Sequence, residues 1–221
     1  NGLASSRARR SRAVTHSSPN PALVRLGKPP ISKVRVRVGV QMAALLIERA
    51  IDSMDPGDVQ SLEIKVAPGG SDAIRRYLGP AAMTSGDDVY VFLDGDQRKV
   101  DNFTDPNTIA PAAHAQLGAL LKGETGVDPM FHIPGGQGVA AHEAAKVQAH
   151  LNYLMWLRAR VAYLPGVVPE ETFLTALNPG GAYDNLTAAE AKVALKEMLA
   201  KDVEVTSSEL VTLAKVAAAS I

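Results

Sequence analysis

The chain has 221 residues, of which 46% are hydrophobic and 21% are charged. This length and composition suit one full hydrophobic core with a smaller additional unit, and they exclude a mainly disordered protein. The lack of cysteine excludes disulfides, thiolate zinc sites and cysteine nucleophiles. No apolar run approaches the ~20 residues that cross a bilayer, and the first residues do not form an apolar secretory segment. We therefore expect a soluble, cytoplasmic protein with no membrane partner.

The formal charge sums to zero but is unevenly distributed along the chain. Seven basic residues and no acidic residue precede position 34, in a stretch rich in serine, arginine and proline. Such a composition is typical of a flexible tail or linker, although a basic arm can also contact phosphates by releasing counterions. We assign residues 1–32 to a basic tail and expect the fold to begin at residue 33.

Alternating strand and helix signals predict an α/β fold. Residues 34–38 alternate apolar and basic side chains as a half-buried strand does, and residues 42–51 are good helix formers with an apolar stripe. Residues 62–66 give a second strand, which completes a β-α-β unit. In chain order we predict strands at 34–38, 62–66, 89–93, 130–133 and 161–164, and helices at 42–51, 73–78, 105–122, 140–160 and from 170, with a turn at 55–58.

The last part of the chain predicts two further helices. Thr187 with Glu190, and Thr206 with Glu209, have the spacing of capping boxes, in which each side chain bonds the other residue's backbone N–H. A proline- and glycine-rich turn separates these helices from the preceding elements. The sequence therefore divides into an α/β domain and a small helical subdomain, at residues 33–176 and 177–221.

The third predicted strand ends in Asp94-Gly95-Asp96. Side chains two residues apart in extended chain point to the same side, so Asp94 and Asp96 can converge on one cation while Gly95 allows a tight turn. Two hard oxygen donors at the end of a strand suit Mg²⁺ or Mn²⁺. An acidic turn without function shows the same pattern. Glu170 and Glu171 follow the last strand in a similar way, and acids in the first turn of a helix also favour its dipole.

The order of these motifs resembles the Toprim nuclease region at the carboxyl end of overcoming-lysogenization-defect (OLD) family endonucleases, class 2. The matching features are the helix after the first strand, the Gly69-Gly70 turn, the Asp94-Gly95-Asp96 motif, the turn before Glu170 and a lysine in the terminal helices. The resemblance implies a Toprim-like α/β core whose mostly parallel sheet is flanked by helices, with a small C-terminal helical subdomain. In that family an N-terminal ATPase domain precedes the nuclease region. This chain has no Gly-x-x-x-x-Gly-Lys-Ser/Thr loop, so it looks like an isolated carboxyl-terminal region, and the resemblance implies an ATPase domain as its partner.

The same resemblance implies metal-dependent hydrolysis of DNA phosphodiester bonds with two Mg²⁺ or Mn²⁺ ions, and it is compatible with a homodimer. Asp94 and Asp96 match the metal ligands, and Asp94 thereby belongs to the catalytic machinery. Glu170, or Glu171 if the register differs by one, matches the acid that helps to hold the second ion. Lys201, with Lys196 as its rival, matches the lysine that neutralises the phosphate in the transition state.

One position departs from the family pattern. The family carries a glutamate just after the first strand, where this chain has Gly39-Val40-Gln41. An inactive variant, a site that recruits another carboxylate and a fold with lost chemistry all fit this difference. A catalytically silent Toprim module that binds nucleic acid or dimerises is thus an alternative. A second alternative is a haloacid-dehalogenase-type phosphotransferase, with Asp94 as nucleophile and Asp96 as general acid, although Arg98 stands where that family has Thr or Val.

Overall fold

In the part of the chain that the structure describes, four strands form an all-parallel sheet in the order β2-β1-β3-β4. The computed structural model describes residues 34–52, 62–135, 138–183, 186–201 and 203–218, so the tail predicted at 1–32 and the turn predicted at 55–58 lie outside the described residues. The strands are β1 (Val34–Val38), β2 (Leu62–Val66), β3 (Val89–Leu93) and β4 (Val161–Tyr163). The predicted α/β class with a parallel sheet flanked by helices is confirmed.

Helices make up most of the remaining described chain. They are α1 (Gln41–Asp52), α2 (Gly70–Ala73), α3 (Gly79–Ser85), α4 (Leu117–Thr125), α5 (Val139–Arg160), α6 (Pro169–Leu177), α7 (Ala188–Ala200) and α8 (Ser207–Ala218). A π-helical stretch, Ile74–Leu78, joins α2 to α3, so the short helix predicted at 73–78 is part of a longer helical segment. None of the helices in the described ranges is both long enough and apolar enough to cross a bilayer.

The alternating side chains of the strands cover both faces of the sheet. On one face, Val36 and Val38 of β1 belong to a cluster of buried residues with α1. On the other face, Val91 and Leu93 of β3 pack with Ile74 of the π-helical stretch. Parallel sheets need helices on both faces because successive side chains point in opposite directions and both sets are apolar.

The two terminal helices share a hydrophobic core with α1 and α6. Leu195 of α7 and Leu210 of α8 are buried in one cluster with Leu45 of α1 and with Phe173 and Leu174 of α6. The described residues between 34 and 218 accordingly belong to one compact unit. This packing matters for the site, since it fixes α7 and the start of α8 next to the first turn of α1.

Both predicted capping boxes form. The Glu190 carboxylate accepts from the Thr187 N–H at 2.8 Å, and the Glu209 carboxylate accepts from the Thr206 N–H at 2.7 Å. In return each threonine hydroxyl accepts from the N–H of its glutamate at 3.3 Å. The starts of α7 and α8 are therefore set locally, by contacts that typically contribute about 0.5–2 kcal/mol per cap.

The prediction of a strand at 130–133 is wrong. This segment lies outside the sheet, and the N–H of Met130 donates to the carbonyl of Arg76 in the π-helical stretch at 2.8 Å. A short apolar run does not by itself distinguish a strand from another buried segment. The strand predicted as fifth, at 161–164, is therefore the fourth strand among the described residues.

The helix predicted at 105–122 starts later and ends later than expected. Two 3₁₀ turns, beginning at Pro106 and Pro111, precede α4, which starts only at Leu117. Proline favours this outcome because it has no N–H to donate within an α-helix. The helix continues through Gly123 and ends before Gly126, whose φ of 76° is the left-handed conformation common after helices.

Candidate functional site

The loops that carry the predicted acids meet at one edge of the sheet. Because β1, β3 and β4 are parallel, their carboxyl ends lie on the same side, where α/β proteins commonly bind ligands. Asp94 and Asp96 follow β3, and Glu170 lies in the first turn of α6, shortly after β4. The two loops are joined directly, since the Asp96 N–H donates to the Val167 carbonyl at 2.8 Å.

Gly95 permits this close approach of the two loops. A Cβ at position 95 would overlap the carbonyl oxygen of Gly166 and lie 3.3 Å from the Cα of Val167. The sequence predicted that Gly95 serves a tight turn, and a 3₁₀ turn does form at Gly95–Gln97. The stronger requirement is steric, because any side chain here would separate the acids of the β3 loop from those of α6.

The acids border a cleft of about 510 Å³. Its lining includes Asp94, Asp96 and Glu170, together with Lys192 and Lys196 of α7. The beginnings of α1 and α8 contribute polar side chains that complete the lining, namely Gln41, Ser207 and Ser208. The cleft thus combines a cluster of carboxylates with two ammonium groups, an arrangement suited to a cation and a phosphate together.

Asp94 lies in surroundings that disfavour its negative charge. Its pKa is raised to about 6, mainly by burial and further by the negative charges of Asp96 and Glu170, against a lowering effect of Lys192. Its Oδ1 atom is buried and has no hydrogen-bond partner among the described residues. A bound cation would favour the ionised form of this carboxylate and satisfy the unpartnered oxygen.

The spacing of the acids limits what they can bind. Across the described ranges, no three His, Cys, Asp or Glu side chains lie close enough together to enclose a single metal ion. Asp94, Asp96 and Glu170 therefore interact by charge and do not form a closed coordination shell. Mg²⁺ is typically held by one or two carboxylates and keeps several waters, so the oxygen donors of this open cleft fit such an ion.

Glu170 and Glu171, the two candidates for the third acid, lie in different surroundings. Glu170 lines the cleft. The Glu171 carboxylate instead accepts from the Val167 N–H at 2.7 Å, which ties the turn before α6 to the first turn of that helix. Both residues are buried, but only Glu170 is among the groups that raise the pKa of Asp94. Glu171 thus has a structural partner of its own.

The lysines are placed differently from the sequence-based expectation. Lys201 lies just beyond α7, at a φ of 52°, and lines a separate cavity with Glu204 and Glu209. Lys196 lines both that cavity and the acidic cleft, and Lys192 lines the acidic cleft. Sequence reasoning missed Lys192, although its spacing of four residues from Lys196 puts both on one face of a helix.

The segment after β1 brings an amide to the cleft where the resembled family has a glutamate. A Cβ at Gly39 would lie 2.6 Å from the Ser71 hydroxyl and 3.2 Å from the Ser71 backbone nitrogen. A side chain at position 39 would therefore require the Ser71 hydroxyl to rotate away and the Ser71 backbone to shift slightly. Val40 and Gln41 line the cleft, so a carboxylate introduced at position 40 or 41 would reach it.

No protein-family model, curated protein or solved structure matches this chain. Function is therefore inferred from the chemistry of the cleft and from the sequence motifs that line it. The polar side chains that line the cleft are the three acids, the two lysines, the Gln41 amide and the hydroxyls of Ser207 and Ser208.

Proposed function

We propose that this chain binds Mg²⁺ or Mn²⁺ in the acidic cleft and hydrolyses DNA phosphodiester bonds. The observation that carries the proposal is the unpartnered, buried Oδ1 of Asp94, in a cleft that also holds Asp96 and Glu170. The resemblance to the Toprim nuclease region of OLD-family endonucleases supports the choice of DNA as substrate. An ATPase domain and a second copy of the chain, which the same resemblance implies, are part of the proposal.

The carboxylates would hold the cations. Asp94 and Asp96 are the proposed ligands of one ion, and Glu170 helps to hold a second ion in the same cleft. Such ions supply an activated water and offset the negative charge that develops on the phosphate and on the leaving oxygen. The raised pKa of Asp94 is consistent with this role, since burial and, to a smaller extent, the neighbouring acids disfavour the ionised carboxylate, which a bound cation would stabilise.

The lysines of α7 would hold the DNA phosphate. Lys192 and Lys196 are the basic residues that line the cleft, and a fixed positive charge near the reacting phosphate stabilises the transition state. The position of Lys201 in a separate cavity supports Lys196 over Lys201 for this role. Replacing Lys196 with Ala should therefore reduce DNA cleavage more than replacing Lys201 with Ala does.

The direct test measures Mn²⁺ binding by titration calorimetry and nicking of supercoiled plasmid in the presence of Mn²⁺. We expect saturable Mn²⁺ binding, and nicking that stops when EDTA is added. If the folded protein shows no Mn²⁺ binding above that of Asp94→Asn, the proposal is wrong. Mn²⁺ binding without any cleavage would favour the silent module described next.

A catalytically silent module that binds nucleic acid or dimerises is the second candidate. The observation that favours it is the neutral amide of Gln41 in the cleft after β1. Gln41→Glu discriminates between the candidates, because it adds a carboxylate at a position that already lines the cleft. Increased nicking would show that the rest of the site is competent. Gln148→Glu, which adds the same charge at an exposed position on α5, is the matched control and should leave nicking unchanged.

A further inference from the structure

Arg75 is a buried charged residue beside the acidic loop. It belongs to the π-helical stretch and is only 3% exposed. The fully buried Tyr153 of α5 donates its hydroxyl proton to the Arg75 carbonyl at 2.7 Å, which holds the backbone of this stretch in place. Burying a guanidinium costs free energy unless its donors are satisfied. The Nε of Arg75 has no partner among the described residues, so the bonds of its two Nη atoms are the ones that indicate its role.

The guanidinium of Arg75 connects the helical segment to the loop after β3. Its Nη2 donates to Asp72 Oδ1 and to Gln97 Oε1, both at 2.7 Å. Its Nη1 donates to the Gln97 backbone carbonyl at 3.2 Å. Gln97 Nε2 then donates to Asp96 Oδ1 at 3.0 Å. Arg75 thus reaches one of the cleft acids through a single intervening side chain.

The chemistry of these groups fixes the direction of every bond. An arginine has only donors, so the oxygen of the Gln97 amide must face Arg75. The NH₂ group of the same amide then faces Asp96, whose ionised carboxylate has only acceptors. One Asp96 oxygen is occupied in this way, and the rotation of the carboxylate is restricted. Arg75 and Asp96 thus select the same orientation of the Gln97 amide, and Arg75 holds that amide from its buried side.

We propose that Arg75 is a positioning residue that orients the Asp96 carboxylate toward the cleft through the Gln97 amide. The importance of this orientation for cation binding rests on the proposed function, whereas the orientation itself does not. Residues that hold a metal ligand in place typically change metal affinity by about 10–100-fold when they are replaced. Arg75→Lys is the informative change, since it keeps the charge but loses the fork that bonds both oxygens of Gln97.

The first measurement uses the metal-free protein. In NMR spectra, the side-chain NH₂ of Gln97 is identified by its disappearance in Gln97→Met. We expect its hydrogen exchange to be slow in the wild type and at least about tenfold faster in Arg75→Lys, because the bond to Asp96 is no longer held. Unchanged exchange and chemical shift in Arg75→Lys would overturn the inference, whatever the protein binds.

The second measurement is Mn²⁺ affinity. Arg75→Lys and Gln97→Met should each weaken Mn²⁺ binding by about 10–100-fold. Because both residues act through one route, the double variant should lose no more affinity than the single variant with the larger loss. Additive losses, or wild-type affinity in both folded variants, would overturn the inference. If the wild type itself binds no Mn²⁺, the proposed function fails, and the exchange measurement alone decides the role of Arg75.

A control variant separates this role from the general effect of replacing an arginine that bonds a backbone carbonyl. Unlike Arg75, the control residue Arg158 is exposed. Arg158 also donates to a backbone carbonyl, that of Phe103 at 2.7 Å, and pairs with Asp105 at 3.7 Å. We expect Arg158→Lys to leave both Mn²⁺ affinity and the Gln97 exchange rate at the wild-type values. Equal losses in Arg158→Lys and Arg75→Lys would show that the effect is not specific to the network around Asp96, and would overturn the inference.

Discussion

Two acids with buried carboxylate oxygens lie in different regions of this protein and have opposite surroundings. Glu124, on α4, is 6% exposed and its carboxylate accepts hydrogen bonds from the Thr104 N–H, at 3.1 and 3.3 Å, and from the Thr104 hydroxyl. Asp94, after β3, has a buried Oδ1 with no partner in the described parts of the chain, and two further acids nearby. One carboxylate is satisfied by its own fold, and the other is not.

The difference separates a structural acid from a candidate functional one. A buried polar group without a partner costs roughly 1–3 kcal/mol, so a fold that retains one has a destabilising feature that a ligand could relieve. Glu124 has no such need, because its bonds to Thr104 already hold the segment before the 3₁₀ turns against α4. The comparison therefore makes specific predictions about which substitutions alter ligand binding and which alter stability.

The largest expected effect is that of Asp94→Asn on cation binding. Asparagine keeps the size of the side chain but removes its charge. An open site that holds its ion with few carboxylates thereby loses one of them. We expect Mn²⁺ affinity to fall by at least about tenfold, measured by calorimetry, with no loss of thermal stability in the metal-free protein. Unchanged Mn²⁺ affinity would remove the distinction between Asp94 and Glu124.

Gly95→Ala should disrupt the same region through its backbone. The added Cβ would overlap the Gly166 carbonyl oxygen, so the two loops must move apart and the bond from Asp96 N–H to Val167 is strained. We expect the free energy of unfolding to decrease by about 1–3 kcal/mol, as for other forced insertions into packed regions, together with weaker Mn²⁺ binding. Wild-type values in urea unfolding and Mn²⁺ titration would show that the contact is not tight.

Glu124→Ala should show the reverse pattern to Asp94→Asn. It leaves the Thr104 N–H without its acceptor, so the free energy of unfolding should decrease by about 1–3 kcal/mol. Mn²⁺ affinity, measured on the folded variant, should stay at the wild-type value because Glu124 does not line the cleft. A loss of Mn²⁺ affinity would mean that the two regions are energetically coupled.

The pH dependence of stability gives a smaller signal from Asp94. Because the pKa of Asp94 is raised from 3.8 to about 6 in the folded protein, the folded state holds this proton more tightly than the unfolded state. Its contribution to stability is therefore present in full below about pH 4 and is lost as the pH rises through about 6. In urea unfolding with EDTA, Asp94→Asn should gain stability relative to wild type between pH 4 and pH 7. Parallel pH profiles would contradict the raised pKa.

The smallest effect is expected next to Glu124, at Gly123. A Cβ at this position of α4 meets no atom of the described residues within 4 Å. Alanine restricts the unfolded chain and suits a helix better than glycine, so Gly123→Ala should stabilise the protein by about 0.4–1 kcal/mol. Thermal unfolding checks this, with Mn²⁺ affinity expected to remain unchanged. Destabilisation comparable to that of Gly95→Ala would show hidden crowding around α4.

The strands of the sheet could be predicted because their residues either alternate between apolar and polar or form a short apolar run. The order of elements from residue 34 to residue 66, and the strand before Asp94, follow from periodicity and local turn residues. The segment at 130–133 was misassigned since its partner, the Arg76 carbonyl, is known only once the helical segment is placed. The first residue of α4 could not be predicted because the cost of Pro111 competes with the good helix formers that follow it.

The sequence also brought three of the acids together, for a geometric reason. The family resemblance implied that Asp94 and Glu170 share a site, and they are neighbours because parallel strands, here β3 and β4, end at one edge of the sheet. The choice between Lys196 and Lys201 was open because it depends on where α7 ends and how it packs. Arg75 gave no sequence signal, since its distance from Gln97 is a product of tertiary structure. Metal binding by these residues is still a prediction.

The π-helical stretch at Ile74–Leu78 makes the protein sensitive to changes in chain length. A π turn holds one residue more than an α turn, so loss of one residue here would convert the stretch to a regular α-helix. The wide turn takes up the extra residue, so the helices on either side would keep their orientation, whereas residues inside the stretch would change the face they present. Arg75 lies inside the stretch, so its contact with Gln97 depends on the length of the stretch as well as on the residue type. Spacing, as much as residue identity, is therefore a property that relatives or redesigned versions of this chain would have to keep.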